Sequence, residues 1–225
     1  MKVFYLILFL FGLNSGFAQL QTITNQTEYP FWINVPETEK TEKQPILIFL
    51  HGKSLSGTDL NRVRRYGVLR AMDKGRKIPA IVVAPQLAKG SWNPDKVLEV
   101  LEYVKKNYNV DESRIYVCGM SLGGYGTLHF AGKHADKITA AVAICGGGNT
   151  SDGCTLSTIP IWIQHGDKDY IVPISESQKV VNAIRKCNEK AKLIFTVIKG
   201  GNHGSVENIF HQDAMYNWLF EQKRE

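Results

Sequence analysis

The chain has 225 residues, of which 44% are hydrophobic, and this is enough apolar content to bury the core of one domain. Its formal net charge is +6 at pH 7, but no nucleic-acid-binding motif accompanies that charge. No repeat, low-complexity tract or long linker divides the sequence, so composition gives no indication of a second domain.

The N-terminal segment has the pattern of a secretory signal. An apolar run over residues 3–13 is too short to span a bilayer as a typical helix, and residues 16–18 place small side chains at the −3 and −1 positions of a cleavage site. We therefore predict a cleaved signal peptide over 1–18, a single catalytic domain over 19–225, and a secreted or periplasmic location. An N-terminal membrane anchor is the alternative, and no other stretch is apolar enough to span a membrane.

The rest of the chain alternates predicted strands and helices. Strands are predicted over 29–35, 46–50, 80–84, 115–118, 138–144, 159–164 and 193–198. Helices are predicted over 60–73, 94–108, 122–130, 174–187 and 206–220. Such alternation predicts an α/β fold with a mostly parallel sheet that is covered by helices on both faces.

A G-x-S-x-G turn, residues 119–123, joins one of these strands to the next helix. A turn of this kind exposes the Ser121 hydroxyl above the sheet edge and leaves backbone N–H groups free at the helix N-terminus. Gly119 and Gly123 suit it because a side chain at either position would crowd the turn. Ser121 is therefore a candidate nucleophile, and the alternative is a glycine-rich turn that only packs.

A serine nucleophile needs a base, and the base needs an orienting acid. The loops that follow the last two predicted strands contain Asp169 and His203. Because the carboxyl ends of parallel strands meet at one edge of the sheet, we expect both side chains beside Ser121. Asp167 is the alternative acid, but the Ile-Val-Pro segment over 171–173 favours Asp169.

These motifs resemble the α/β-hydrolase superfamily, and within it the small lidless esterases of the phospholipase/carboxylesterase, dienelactone-hydrolase and esterase-type depolymerase branch. The matching segments are Phe-Leu-His-Gly at 49–52, Gly-Met-Ser-Leu-Gly-Gly at 119–124, His-Gly-Asp-Lys-Asp-Tyr-Ile-Val-Pro at 165–173 and Gly-Asn-His at 201–203. The resemblance implies an α/β-hydrolase fold without a cap domain, and no metal or organic cofactor. The residue roles that it implies are nucleophile for Ser121, acid for Asp169, base for His203, and oxyanion hole for the N–H groups of Lys53 and Leu122.

Several further residues have two interpretations. Trp92 follows a strand end, where it can serve as a substrate platform or simply pack. A Cys145–Cys154 bridge is sterically possible, whereas Cys118 is expected to be buried and reduced, and Cys187 has no evident partner. The basic segment 62–77 is either a solvated face or a surface that attracts an acidic polysaccharide.

The sequence thus predicts a serine hydrolase that cleaves carboxylic esters through an acyl-enzyme. Acetyl or feruloyl esters on plant polysaccharide fit best. The alternatives are a general short-chain carboxylesterase or lysophospholipase-like enzyme, a serine peptidase, and a non-catalytic binding protein on the same fold. The expected partner is a small or polysaccharide-linked ester, with no nucleic acid and no stable membrane insertion. The sequence gives no oligomeric state.

Overall fold

A computed structural model describes residues 20–37 and 42–225 of the chain. The predicted signal peptide and the predicted mature N-terminus at Gln19 lie outside these residues. The strands are β1 Leu20–Ile23, β2 Phe31–Asn34, β3 Gln44–Leu50, β4 Ile81–Pro85, β5 Val110–Met120, β6 Ala140–Ile144, β7 Ile161–Gly166 and β8 Leu193–Ile198. The α-helices are α1 Val68–Asp73, α2 Pro94–Asn107, α3 Leu122–Lys133, α4 Gly153–Leu156, α5 Ile174–Cys187 and α6 Asp213–Glu221. No helix within 20–37 or 42–225 is both long and apolar enough to cross a bilayer.

All eight strands form one sheet in the order β1-β2-β4-β3-β5-β6-β7-β8. The first two strands pair antiparallel, and β3 to β8 run parallel. The predicted α/β-hydrolase fold with a mostly parallel sheet is confirmed. Between β6 and β7 the described chain has only a short 3₁₀ helix, Thr150–Asp152, and α4, so no cap domain stands there.

Strand β3 shows how the two faces of the sheet are covered. Ile46, Ile48 and Leu50 contribute to a core with α2, α3 and α5, whereas Leu47 and Phe49 contribute to a core with α1 and α6. This period of two along the strand, with apolar residues on both faces, is typical of a parallel strand buried between helix layers.

The helix predicted over 60–73 is not continuous in the structure. The structure has a 3₁₀ helix, Leu60–Arg65, then a break at Gly67, and then α1. Gly67 has φ of +78°, and a Cβ there would overlap the ring of Phe49. The break therefore requires glycine, for both conformation and space.

Other elements also differ from the prediction. The helix predicted over 206–220 begins as a 3₁₀ helix, Ser205–His211, and α6 starts only after Gln212, which has an extended backbone. Strand β1 was not expected, because Leu20–Ile23 is short and only two of its four residues are apolar.

The predicted possibility of a Cys145–Cys154 disulfide is wrong. Cys154 instead bonds to Cys187 and thereby ties α4 to α5. Cys145 is a buried free thiol that lies against Asp169. Cys118 is buried and reduced, as predicted.

Candidate active site

Ser121 stands between the carboxyl end of β5 and the first residue of α3, with φ of 59° and ψ of −122°. Few non-glycine residues adopt this conformation, and it is the strained turn that exposes a serine hydroxyl. A Cβ at Gly119 would overlap the carbonyl oxygen of Gly123, and a Cβ at Gly123 would overlap that of Leu50. The two glycines therefore let α3 approach the sheet closely enough to form the turn.

The structure brings Ser121, His203 and Asp169 into one hydrogen-bonded chain. Nε2 of His203 lies 2.9 Å from Oγ of Ser121, and Nδ1 lies 2.7 Å from Oδ2 of Asp169. In this geometry the Nδ1–H donates to the carboxylate, which leaves Nε2 free to accept the serine proton. Asp167 is not part of this chain, since its Oδ1 accepts from the backbone N–H of Gly200.

The surroundings of Asp169 keep its carboxyl ionised. Its Oδ1 accepts hydrogen bonds of 2.9 Å from the backbone N–H groups of Ile171 and Val172. Burial alone would raise the pKa of Asp169, but the hydrogen bonds from His203, Val172, Cys145 and Ile171 outweigh it and hold that pKa below its ordinary value. Asp169 therefore remains a charged partner for an imidazolium at His203.

His165 and Cys145 complete the wall around this carboxylate. His165 donates its Nε2–H to the carbonyl of Val172 over 2.9 Å and is hydrogen-bonded through Nδ1 to Ser177. Burial lowers the pKa of His165. Cys145, His165 and Asp169 are close enough to suggest a metal-ligand set, but the imidazole and carboxylate atoms are already committed to hydrogen bonds.

His51 holds the loop that faces Ser121. Its Nδ1–H donates to the carbonyl of Gly52 over 2.8 Å, and its Nε2 accepts from the N–H of Leu87 over 3.0 Å. The contact with Leu87 needs the neutral ring, because a protonated Nε2 cannot accept, and burial lowers the pKa of His51 to about 4. His51 therefore has a structural, hydrogen-bonded role beneath the loop.

The predicted oxyanion donors lie at two helix starts. Leu122 is the first residue of α3, and Lys53 is the first residue of a 3₁₀ helix, Lys53–Leu55. N–H groups in the first turn of a helix have no acceptor within the helix. The Lys53 loop approaches Ser121 closely, since a Cβ at Gly52 would be 3.5 Å from Cβ of Ser121.

The structure does not place Trp92 where a substrate platform would have to be. The side chain is only 4% exposed, and its Nε1–H donates to the carbonyl of His51 over 3.1 Å. It packs edge-on against the His51 ring and directly over Gly126 of α3. Trp92 therefore supports the Lys53 loop from beneath, and the platform hypothesis is corrected to a packing role.

A cavity of about 490 Å³ opens over Ser121 and His203. The residues that line it are Gly52, Lys53, Ser54, Tyr66, Met120, Ser121, Ile171, His203, Gly204 and Glu207. Tyr66 and Glu207 were not predicted from the sequence. The Tyr66 hydroxyl is hydrogen-bonded to Ser54, and the Glu207 carboxylate accepts from the N–H of Gly67 over 2.8 Å. No local motif marks these two residues, because their place depends on how distant loops pack.

Three of the seven basic residues in the segment 62–77 are engaged within the protein. Arg62 donates to the carbonyl of Ser54, Arg64 pairs with Asp73 at 2.7 Å, and Arg76 pairs with Asp213 at 2.8 Å. Exposed pairs of this kind contribute little stability, about 0–1 kcal/mol each. They do reduce the free positive charge that this face can offer to a polyanion.

Comparison with known proteins gives the chain a family. The model of the dienelactone hydrolase family matches residues 73–208, which include Ser121, Asp169 and His203. A probable feruloyl esterase C of Aspergillus terreus is 28% identical over 185 residues, covering 75% of this chain and 67% of that protein. A bifunctional acetylxylan esterase/xylanase of Neocallimastix patriciarum is 34% identical over 85 residues, covering 37% of this chain and 12% of that protein.

Solved structures agree with the fold. A thermostable esterase superposes with a TM-score of 0.80 at 30% identity, covering 91% of this chain and 63% of that one. A feruloyl esterase module of Clostridium thermocellum superposes with a TM-score of 0.68 at 14% identity, covering 92% of this chain and 90% of that one. The predicted resemblance to the α/β-hydrolase superfamily is confirmed.

Proposed function

This chain belongs to the dienelactone hydrolase family, and on that basis we propose that it is a serine esterase acting on acyl groups of plant polysaccharides. The observation that carries the proposal is the hydrogen-bonded chain from Ser121 through His203 to Asp169 at the floor of an open cavity. The named activities of the two curated relatives, acetylxylan and feruloyl esterase, support acetyl and feruloyl groups as the substrates.

In the proposed reaction, Oγ of Ser121 attacks the ester carbonyl carbon while Nε2 of His203 takes the hydroxyl proton. The N–H groups of Lys53 and Leu122 hold the oxyanion of the tetrahedral intermediate. His203 then returns the proton to the leaving alcohol, and the acyl group stays on Ser121. Water attacks that acyl-enzyme with the same proton shuttle, which releases the acid and restores the serine.

We also propose export from the cell. The signal pattern over 1–18 supports it, and so does the Cys154–Cys187 disulfide, because disulfides persist mainly in oxidising compartments.

A general short-chain carboxylesterase is the second candidate, because the segment between β6 and β7 is short and leaves the cavity open. The two candidates differ in how strongly the alcohol part of the ester affects the rate. We therefore compare acetylated xylan, methyl ferulate and a series of p-nitrophenyl esters, with Ser121→Ala as the blank. A kcat/KM on acetylated xylan well above that on methyl ferulate and the p-nitrophenyl esters supports the polysaccharide assignment. Equal or better turnover of simple esters favours the general enzyme.

A further inference from the structure

Two apolar side chains stand exposed directly after the proposed acid. Tyr170 is 85% exposed and Ile171 is 73% exposed, the highest values among the large hydrophobic residues that the structure describes. Ile171 also lines the cavity over Ser121. Exposed apolar groups at the rim of a cavity mark a surface that meets a ligand.

The backbone beneath these side chains is fixed. The N–H of Ile171 donates to Oδ1 of Asp169, and the N–H of Lys168 donates to the carbonyl of Gly201 over 2.9 Å. The exposed pair is therefore held in register with the Asp169–His203 hydrogen bond. A rigid surface can bind a ligand without paying for loop ordering.

The proton transfer in the proposed reaction indicates which part of the ester lies at this rim. The leaving oxygen must come within reach of Nε2 of His203 to receive its proton. The oxyanion points instead to the Lys53 side of the cavity. Ile171, which lines the cavity and donates its N–H to Asp169, therefore borders the alcohol part of the ester, and the exposed Tyr170 is its neighbour in the chain.

The size of the patch limits what can occupy it. One Tyr and one Ile offer far less than the roughly 800 Å² per partner that a stable protein interface needs. They do match a single ring that has an apolar face and a polar edge, and a sugar has both. The Tyr170 side chain has the same character, an apolar ring with a polar hydroxyl.

We infer that Tyr170 and Ile171 form a subsite for a sugar ring on the alcohol side of the ester. This subsite rests on the proposed esterase function and deepens it, because it makes the protein selective for esters of carbohydrate over esters of simple alcohols.

The test uses two esters of whichever acyl group the protein prefers, one on methanol and one on an oligosaccharide, such as methyl ferulate and feruloylated arabinoxylan oligosaccharide. Tyr170→Ala should raise KM for the oligosaccharide ester about tenfold and leave kcat and the methyl ester unchanged. Tyr170→Phe should stay close to wild type. Ile194→Ala is the matched control, since Ile194 is a 41% exposed apolar residue on β8.

Two results would overturn the subsite: an unchanged KM for the oligosaccharide ester in Tyr170→Ala, or an equal rise in KM for the methyl and oligosaccharide esters. A wild-type protein that hydrolyses none of them would instead contradict the proposed function. Calorimetry then still tests the subsite. Unesterified arabinoxylan oligosaccharide should bind the Ser121→Ala variant more tightly than it binds the double variant Ser121→Ala/Tyr170→Ala. Equal binding would reject the inference.

Discussion

At Asp169 the two carboxylate oxygens have separate tasks. Oδ1 accepts two backbone N–H groups and fixes the loop, while Oδ2 faces Nδ1 of His203. An amide at this position can keep part of the loop geometry, but it removes the charge that stabilises an imidazolium. It also allows the wrong histidine tautomer.

Asp169→Asn should therefore lower kcat by roughly 10⁴-fold. Asp167→Asn is the matched control, and its effect should be far smaller, because Asp167 only accepts from the N–H of Gly200 in the neighbouring turn. Steady-state kinetics on one p-nitrophenyl ester measure both variants. A larger loss of kcat in Asp167→Asn than in Asp169→Asn would show that Asp167, and not Asp169, is the acid.

His51 gives the fold a pH dependence of its own. Burial lowers its pKa from 6.5 to about 4, so between these values the unfolded chain binds a proton that the folded protein excludes. The stability that neutral His51 contributes is thus full above pH 6.5 and is lost as the pH falls toward 4. The size of this loss is about 3 kcal/mol.

Urea unfolding at pH 4.5 and pH 7.5 measures this dependence. The decrease in unfolding free energy should be clearly smaller in His51→Gln than in wild type. The exposed His129 on α3 supplies the control variant His129→Gln, which should behave as wild type. Equal pH slopes in His51→Gln and wild type would show that His51 is not held neutral.

The placement of Ser121, Asp169 and His203 together was predictable at the residue scale, because each follows a strand of strong apolar pattern. The order Ser, Asp, His along the chain then left few possible arrangements of the three side chains. Trp92 and Cys145 were not predictable in the same way. Whether a residue after a strand points into a cavity or under a loop depends on packing between segments far apart in sequence. Trp92 packs on Gly126, and Cys145 lies against Asp169.

At the element scale, strand–helix alternation located the parallel strands and the long helices. The alternation did not predict where the helices are interrupted, because the interruptions arise from contacts with residues far away in the sequence. The break at Gly67 is set by the Phe49 ring beneath it and by Glu207, which accepts the Gly67 N–H. Glu207 follows His203 by one short turn, so this break also ties the segment before α1 to the loop of the proposed base.

The Cys154–Cys187 disulfide is an element-scale feature with a calculable effect on stability. It closes a loop across 33 residues between α4 and α5, and loop-entropy arguments give such a cross-link about 3–4 kcal/mol. Replacing both cysteines with Ser should lower Tm by about 10 °C.

Calorimetry with and without a reducing agent provides the control for this prediction. Reduction should lower Tm of the wild type and leave that of the double variant unchanged. A non-reduced peptide map that joins Cys154 to Cys145 would contradict the pairing.

At the scale of the whole molecule, the parallel strands bring every proposed catalytic group to one edge of the sheet. Ser121 follows β5, Asp169 follows β7 and His203 follows β8, although 82 residues separate the serine from the histidine. The short connection between β6 and β7 leaves the cavity above them uncovered. An open site of this kind suits an ester that is attached to a bulky polymer.

The export proposal belongs to the same scale. The signal pattern predicts that the protein recovered outside the cytoplasm begins at Gln19. Intact-mass measurement of the natively exported protein tests this, and residues 1–18 still attached to it would reject cleavage in favour of an N-terminal anchor.

We propose that Ser121 carries the acyl group in an ester-hydrolysing reaction. To test this, the protein is treated with a fluorophosphonate, the adduct is located by mass, and ester turnover is followed in parallel. We expect one adduct on Ser121 and a loss of activity in proportion to labelling. A Ser121→Ala variant with unchanged circular dichroism should show neither labelling nor turnover. Full turnover by that variant, or by the completely labelled protein, would show that Ser121 does not carry the acyl group.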